Sequence, residues 1–296
     1  MNRTGIEWAD ATWNPITGCT PISEGCKNCY AKRMANRLKG RYGYPADDPF
    51  KVTVHPVRLR EPLLRLPPLR IFVCSMSDFF HDDVDPWWID DVFDVCRVSP
   101  EHTYIFLTKR PQNISKKLEG CSEAQLGFMA KRAWIGVTAE NQACADERTA
   151  ELFKIQAAVR FVSVEPMLGP VDLISAGLRP EWKLASDDPP MQPLGTNIDW
   201  VICGGETGPG ARPMHPDWVR SLRDQCQAAG VPFFFKGWGE WVAPSQYPFS
   251  VGGPDLENAD RHVFDDAAEV YRVGKKSSGR LLDGREWNEF PTREGT

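Results

Sequence analysis

Six short runs rich in β-branched and aromatic residues punctuate this chain and leave few folds open. They are 70–74 (RIFVC), 103–107 (TYIFL), 133–137 (AWIGV), 159–164 (VRFVSV), 200–203 (WVIC) and 231–235 (VPFFF). Each is predominantly apolar rather than alternating, the pattern of strands buried on both faces. Helical spacing fills gaps between them at 87–98, 144–155 and 217–229. With 12–17 counted as the first strand, seven β units alternate mainly with helices, which is the signature of a parallel β/α array. The expected fold is α/β, a partial TIM-like β/α barrel of about six to seven parallel strands.

The strands end in polar or Gly-containing tails: Gly18-Cys19, Ser75-Met76-Ser77-Asp78, Thr108-Lys109-Arg110-Pro111, Thr138-Ala139-Glu140-Asn141, Glu165-Pro166, Gly204-Gly205-Glu206 and Lys236-Gly237-Trp238. Polar residues just past strand C-termini are what a β/α barrel gathers around its active site. No Gly-x-Gly-x-x-Gly follows the first strand, so a dinucleotide-binding Rossmann reading lacks its main support. Residues 184–197, with several prolines and two adjacent Asp, read as an inserted loop. The expected organisation is a barrel over 1–242 carrying a cysteine loop at 18–30. Residues 243–296 form an irregular C-terminal cap that is not an independent domain, with a short strand pair near 262–271 and 280–283.

Nine cysteines occur in 296 residues. No stretch approaches the roughly 20 apolar residues of a membrane span, and the polar N-terminal residues do not resemble a signal peptide. A cytoplasmic location without membrane attachment is expected, where a metal or redox role outranks disulfides. Cys19, Cys26 and Cys29 form C-x6-C-x2-C, followed by Tyr30. Three thiolates on one loop suit an iron–sulfur cluster or zinc. A structural zinc site requires four ligands, and no second pair follows at finger or ribbon spacing. A cluster with three protein thiolates leaves one iron open to a substrate or cofactor.

Net charge is −5, which alone argues against a protein that coats nucleic acid. Residues 1–70, however, carry 12 Lys and Arg against 6 Asp and Glu, a balance of +6, so the remainder carries −11. The densest basic run is Lys27, Lys32, Arg33, Arg37, Lys39 and Arg41, with no acid between them. If the segment after Cys29 is helical, Arg33, Arg37 and Arg41 share one face, a stripe a phosphate-bearing partner reads or a plain solvated surface.

The chain resembles the phage Gp37/Gp68-like family, relatives of the radical S-adenosylmethionine enzymes. The resemblance rests on Gly5-Ile6-Glu7-Trp8, Thr12-Trp13-Asn14-Pro15, the three cysteines with Tyr30, Ser75-Met76-Ser77-Asp78, Leu107-Thr108-Lys109-Arg110-Pro111, Gly136-Val137-Thr138, Val164-Glu165-Pro166 and Gly204-Gly205-Glu206-Thr207-Gly208-Pro209. It implies a [4Fe–4S] cluster held by Cys19, Cys26 and Cys29, with S-adenosylmethionine on the fourth iron. Reductive cleavage with electrons from an external donor then yields a 5′-deoxyadenosyl radical. It further implies that Tyr30 lies near the adenine. The superfamily spacing is C-x3-C-x2-C, so three extra residues enlarge the loop here. Its Gly-Gly-Glu normally follows the second strand, whereas Gly204-Gly205-Glu206 follows the sixth. Ser75, Ser77 and Asp78 therefore take the amino acid end of the cofactor, and Glu140 and Asn141 its ribose, with Thr138, Gly204 and Gly205 also expected to line the cofactor.

Lys109 and Arg110 suit a substrate phosphate or carboxylate, or else a surface turn. Glu165 and Glu206 pair with Lys236 or Lys109, either for proton transfer or to order the barrel mouth. Trp238 and Trp241 stack on a nucleobase or close the core. His81 and His215 read as structural. The expected protein is a radical S-adenosylmethionine-type enzyme modifying or repairing DNA or a nucleotide, with a possible partner protein encoded nearby. Its rivals are an iron–sulfur nucleic-acid-binding protein without radical chemistry and a zinc-dependent barrel hydrolase.

Overall fold

A computed structural model of the chain describes residues 1–65, 67–178, 197–247 and 256–292. The expected insertion at 184–197 lies outside these residues apart from Asn197. The chain divides into two compact units, 1–137 with 151–160, and 138–150 with 161–296. The division falls inside the β/α repeat, and residues 243–292 group with the strands that precede them. The fold class is the expected one, an α/β partial TIM-like barrel of seven parallel strands.

The first unit holds four of these strands, β1 (Ala11–Trp13), β2 (Arg70–Val73), β3 (Thr103–Thr108) and β4 (Ala133–Thr138). Neighbours pair in parallel, with Ala11 opposite Ile71, Ile71 opposite Tyr104, and Tyr104 opposite Ala133. Ile71, Tyr104, Ile105, Phe106, Ala133 and Ile135 are fully buried, which the continuous apolar runs require. The first strand is shorter than the expected 12–17. It stops at Asn14-Pro15, and Ile16–Thr17 instead pairs antiparallel with Thr53–Val54. Proline has no N–H to donate to a ladder, so the break falls where the sequence places it.

Three helices of eight or more residues serve this unit, α1 (Tyr30–Arg37), α2 (Pro86–Val98) and α3 (Glu123–Arg132). In α2, Asp85 caps the N-terminus by accepting from the Trp87 N–H, and Pro86 occupies the first turn, where it costs no hydrogen bond. Phe79, Phe93 and Phe106 meet with ring centroids 5.1–5.8 Å apart beneath the end of β2. Ser122 and Gln125 close a capping box at α3.

The second unit holds most of α4 (Gln142–Leu152) and of β5 (Val159–Val164), then β6 (Trp200–Gly204), α5 (Pro216–Ala229) and β7 (Phe233–Gly237). β5 and β7 both run parallel to β6. Gly230, with φ +68, ends α5 in a left-handed cap. Strands Trp241–Val242, Glu269–Arg272 and Arg261–Val263 form a small antiparallel sheet. The expected strand at 280–283 is absent among the described residues. Asp283 there instead accepts from Arg220 and Arg223 of α5 and from Gln246. No helix among the described residues is long and apolar enough to cross a membrane.

Candidate functional site

The cysteine loop is seamed to the tail of β2. The side-chain oxygen of Asn14 accepts from the Ser75 hydroxyl at 3.2 Å and from the Met76 N–H at 2.9 Å. Gly18 donates its N–H to the Met76 carbonyl at 2.9 Å, and the Ser77 hydroxyl donates to the Gly18 carbonyl at 2.6 Å. Gly18 adopts φ +89, and a Cβ there would sit 2.1 Å from the Lys51 carbonyl oxygen, so only glycine fits. Cys19 follows, its N–H bonded to the Phe50 carbonyl at 3.0 Å.

Cys29 forms the N-cap position of α1. This helix is amphipathic: Ala31 and Ala35 pack on Met76 and Tyr44, with Cys29, Leu38 and Phe50 alongside. The Tyr30 hydroxyl donates to the Ser75 carbonyl. The helix after the third cysteine and the Ser75–Asp78 tail are thus one packed body. The expected arginine stripe is corrected here. α1 ends at Arg37, so Arg41 lies past the helix, bonded to the Arg37 carbonyl. Lys32, Arg37, Lys39 and Arg41 are exposed, as are Tyr30, Met34 and Tyr42.

Beneath Cys19 lies a buried polar set. One oxygen of Asp78 accepts from the Thr108 hydroxyl at 2.6 Å and the Phe80 N–H at 3.1 Å. The other accepts from the Lys109 N–H at 3.0 Å and Arg110 Nη1 at 3.3 Å. Arg110, 2% exposed, also donates from Nη1 to the Cys19 sulfur at 3.5 Å and from Nη2 to the Thr20 carbonyl and hydroxyl at 2.9 Å each. His81 Nε2 meets the Thr20 hydroxyl at 2.8 Å and accepts from the Thr20 N–H at 3.3 Å. Burial, and then Arg110, hold the His81 imidazole below its usual range. Burial and then Asp78 push the Cys19 thiol up to about 11, with Arg110 opposing.

These contacts correct two expectations. Arg110 does not present a fork to substrate, because its donors are turned inward on the loop. Asp78 is spent on four internal donors and acts by holding Arg110. Lys109 is half-buried beside it.

In the second unit, Glu165 pairs with Lys236 across Gly204, whose Cβ position lies 3.3 Å from Lys236 Cβ and 3.5 Å from Glu165 Cδ. Glu206 holds Arg212 through both oxygens at 2.7 and 2.9 Å and also accepts the Arg212 N–H at 2.8 Å. Glu140 is fully buried against Arg148 at 2.7 Å, and Arg148 also donates to the Thr138 carbonyl at 2.7 Å. Asn141 accepts from the Cys144 N–H at 3.0 Å, capping α4. Glu140 is thus committed to an internal ion pair rather than presented to a ribose. Trp238 is 1% exposed, with its indole N–H on the Leu281 carbonyl at 2.8 Å, so it closes the core and cannot stack on a base.

Thr20, Arg148 and Arg212 were not singled out from the sequence, and Asn14 stood there only within Thr12-Trp13-Asn14-Pro15, with no role of its own. Asn14 and Thr20 had a signal, one before a strand-breaking proline and the other directly after the first cysteine.

Three free thiols on one loop are a donor set that fits an iron–sulfur cluster. The nine cysteines are all free thiols, and Cys19, Cys26 and Cys29 are each half-buried. Among the described residues, the group of metal-type ligand atoms lying within 4.8 Å of one another is His215, Asp217 and Asp266, not the three cysteines.

Residues 3–291 match the model of a family described as Protein of unknown function (DUF5131), a description that does not carry the phage Gp37/Gp68 name. No curated protein sequence matches the chain. Solved structures similar to it include a doubly substituted spore photoproduct lyase with bound AdoMet and dinucleoside spore photoproduct. That match has 13% identity and a TM-score of 0.43, covering 89% of this chain and 68% of the other. A spore photoproduct lyase complexed with dinucleoside spore photoproduct matches at 13% identity and a TM-score of 0.43, covering 92% and 70%.

Proposed function

We propose that this chain, which belongs to the DUF5131 family, is a radical S-adenosylmethionine-type [4Fe–4S] enzyme acting on nucleic acid or a nucleotide. The observation that carries the reading is the cysteine loop: three free, half-buried thiols beyond the first parallel strand, the first held by a buried arginine. Cys19, Cys26 and Cys29 would hold the cluster. Bound together, cluster and S-adenosylmethionine supply a one-electron reductive cleavage that yields a 5′-deoxyadenosyl radical. The chain's own part is to bind, orient and exclude water.

Tyr30, Ser75 and Ser77 are the proposed cofactor contacts of the first unit. Ser77 spends its hydroxyl proton on the Gly18 carbonyl, which leaves its oxygen as an acceptor for a cofactor amino or hydroxyl group, and the Tyr30 hydroxyl is tied to the Ser75 carbonyl beside it. The exposed Lys32 and Arg37 of α1, next to the exposed Tyr30 and Met34, support a polyanionic substrate.

Anaerobic reconstitution tests the reading. The expected result is [4Fe–4S] absorbance that is lost in Cys26→Ala, with 5′-deoxyadenosine released on reduction with S-adenosylmethionine. Stoichiometric zinc without iron would overturn it. A cluster that never yields 5′-deoxyadenosine would favour the nucleic-acid-binding alternative.

A further inference from the structure

Resting on the iron–sulfur reading, we propose that Arg110 is a positioning residue for the cluster. It fixes Cys19 in place and donates an N–H···S hydrogen bond to the Cys19 sulfur, raising the cluster's reduction potential.

A guanidinium 2% exposed to solvent is costly to bury and needs partners for its donors. Nη1 is shared between Asp78 and the Cys19 sulfur, and both Nη2 bonds go to Thr20, the residue directly after Cys19. Nε faces Asp82 at 3.4 Å without a hydrogen bond in the structure. The arginine therefore has the buried Asp78 carboxylate and the exposed Asp82 carboxylate against it, and a candidate ligand sulfur on Nη1.

Thr20 is gripped from a second side by His81. The enlarged C-x6-C spacing makes this grip useful. Six residues separate the first two cysteines, and the first of the six is anchored by Arg110 and His81, so Cys19 is set before any metal arrives. A reduced cluster carries one more negative charge than an oxidised one. A positive donor hydrogen-bonded to a ligand sulfur favours the reduced form.

The test uses full-length protein grown with 15N-arginine, reconstituted anaerobically, as wild type and Arg110→Lys. Lysine keeps a cation beside Asp78 but has no fork to reach Thr20 and Cys19 together. In the wild type, pulsed EPR of the reduced cluster is expected to show coupling to an arginine nitrogen, and Arg110→Lys should lose it. An EPR-monitored redox titration should place the variant about tenfold toward the oxidised form, about 59 mV for one electron. A wild-type cluster without arginine nitrogen coupling, or an unchanged potential in Arg110→Lys, overturns this inference alone. If the variant fails to hold a cluster, the wild-type coupling decides by its presence or absence. A wild type that takes up no iron–sulfur cluster overturns the underlying reading, and this inference with it.

Discussion

A Cβ on Gly205 would come 2.0 Å from the carbonyl oxygen of Trp238, so the backbones that follow β6 and β7 touch where no side chain fits. Gly205 also donates its N–H to the Gly237 carbonyl at 3.0 Å, and Gly239 backs onto the Glu206 carbonyl. Close backbone approach accounts for the second glycine of Gly204-Gly205-Glu206 without a ligand.

Gly205→Ala should accordingly cost about 3 kcal/mol or prevent folding, since the obstacle is backbone that cannot rotate away. Gly204→Ala, whose Cβ would meet the Lys236 Cβ at 3.3 Å, should cost less than about 1.5 kcal/mol. Urea denaturation of the two variants checks this, and equal losses would contradict the packing argument.

Asp78→Asn should destabilise the fold by about 3 kcal/mol, because it leaves the buried Arg110 without its principal counter-charge. Asp82, on the solvent side at 3.4 Å, is too exposed to replace it. The loss should appear in thermal unfolding of the metal-free protein, and a transition within about 0.5 kcal/mol of wild type would refute it.

Stability should fall on acidification between about pH 6.5 and pH 4. Burial, followed by Arg58, holds His55 down to about 4 from its ordinary 6.5, and its Nε2 sits 2.8 Å from the Thr17 hydroxyl. The unfolded chain takes up a proton near 6.5 while the folded chain resists until about 4, so the contribution is present above 6.5 and lost as pH drops through that window. His81 shifts in the same direction. Denaturation curves at pH 7, 5.5 and 4.5 should show the decline, with a shallower slope in His55→Gln. A slope that this substitution leaves unchanged would assign the pH dependence elsewhere.

Nucleic acid binding, if it uses α1, should weaken with salt. Replacing the exposed Lys32 and Arg37 with alanine should make the log–log salt slope shallower by about 0.9 for each lost duplex phosphate contact. Fluorescence anisotropy of labelled DNA across a salt series reads this directly. An unchanged slope would move the interface away from this helix.

Much of the strand framework was legible because burial on both faces leaves a continuous apolar mark. The runs at 103–107 and 159–164 recur as Thr103–Thr108 and Val159–Val164, and the helix expected at 217–229 begins one residue earlier, at Pro216. The arginine stripe was less legible. Spacing of four residues specifies a shared face only while the helix lasts, and Gly40, at φ +69 between Arg37 and Arg41, is the local signal that it has ended. The C-terminal segment was half legible: its strands at 261–263 and 269–272 form, but 280–283 answers to charge partners on α5, which lie far away in sequence.

The sequence by itself determined where the three clustered thiols lie, since C-x6-C-x2-C is a covalent fact of the chain, and it determined the parallel β/α array through local apolar periodicity. Tertiary structure alone decided what the charged strand-end residues do. Arg110 reads as an exposed turn before proline, yet it is buried against Asp78 and Cys19, residues 32 and 91 positions away. Glu140 reads as a ribose contact and Glu206 as a partner of Lys236 or Lys109, yet each is committed to an arginine on the segment that follows it. A charge buried away from water must find its partner, and partner choice depends on distances that only the folded chain sets.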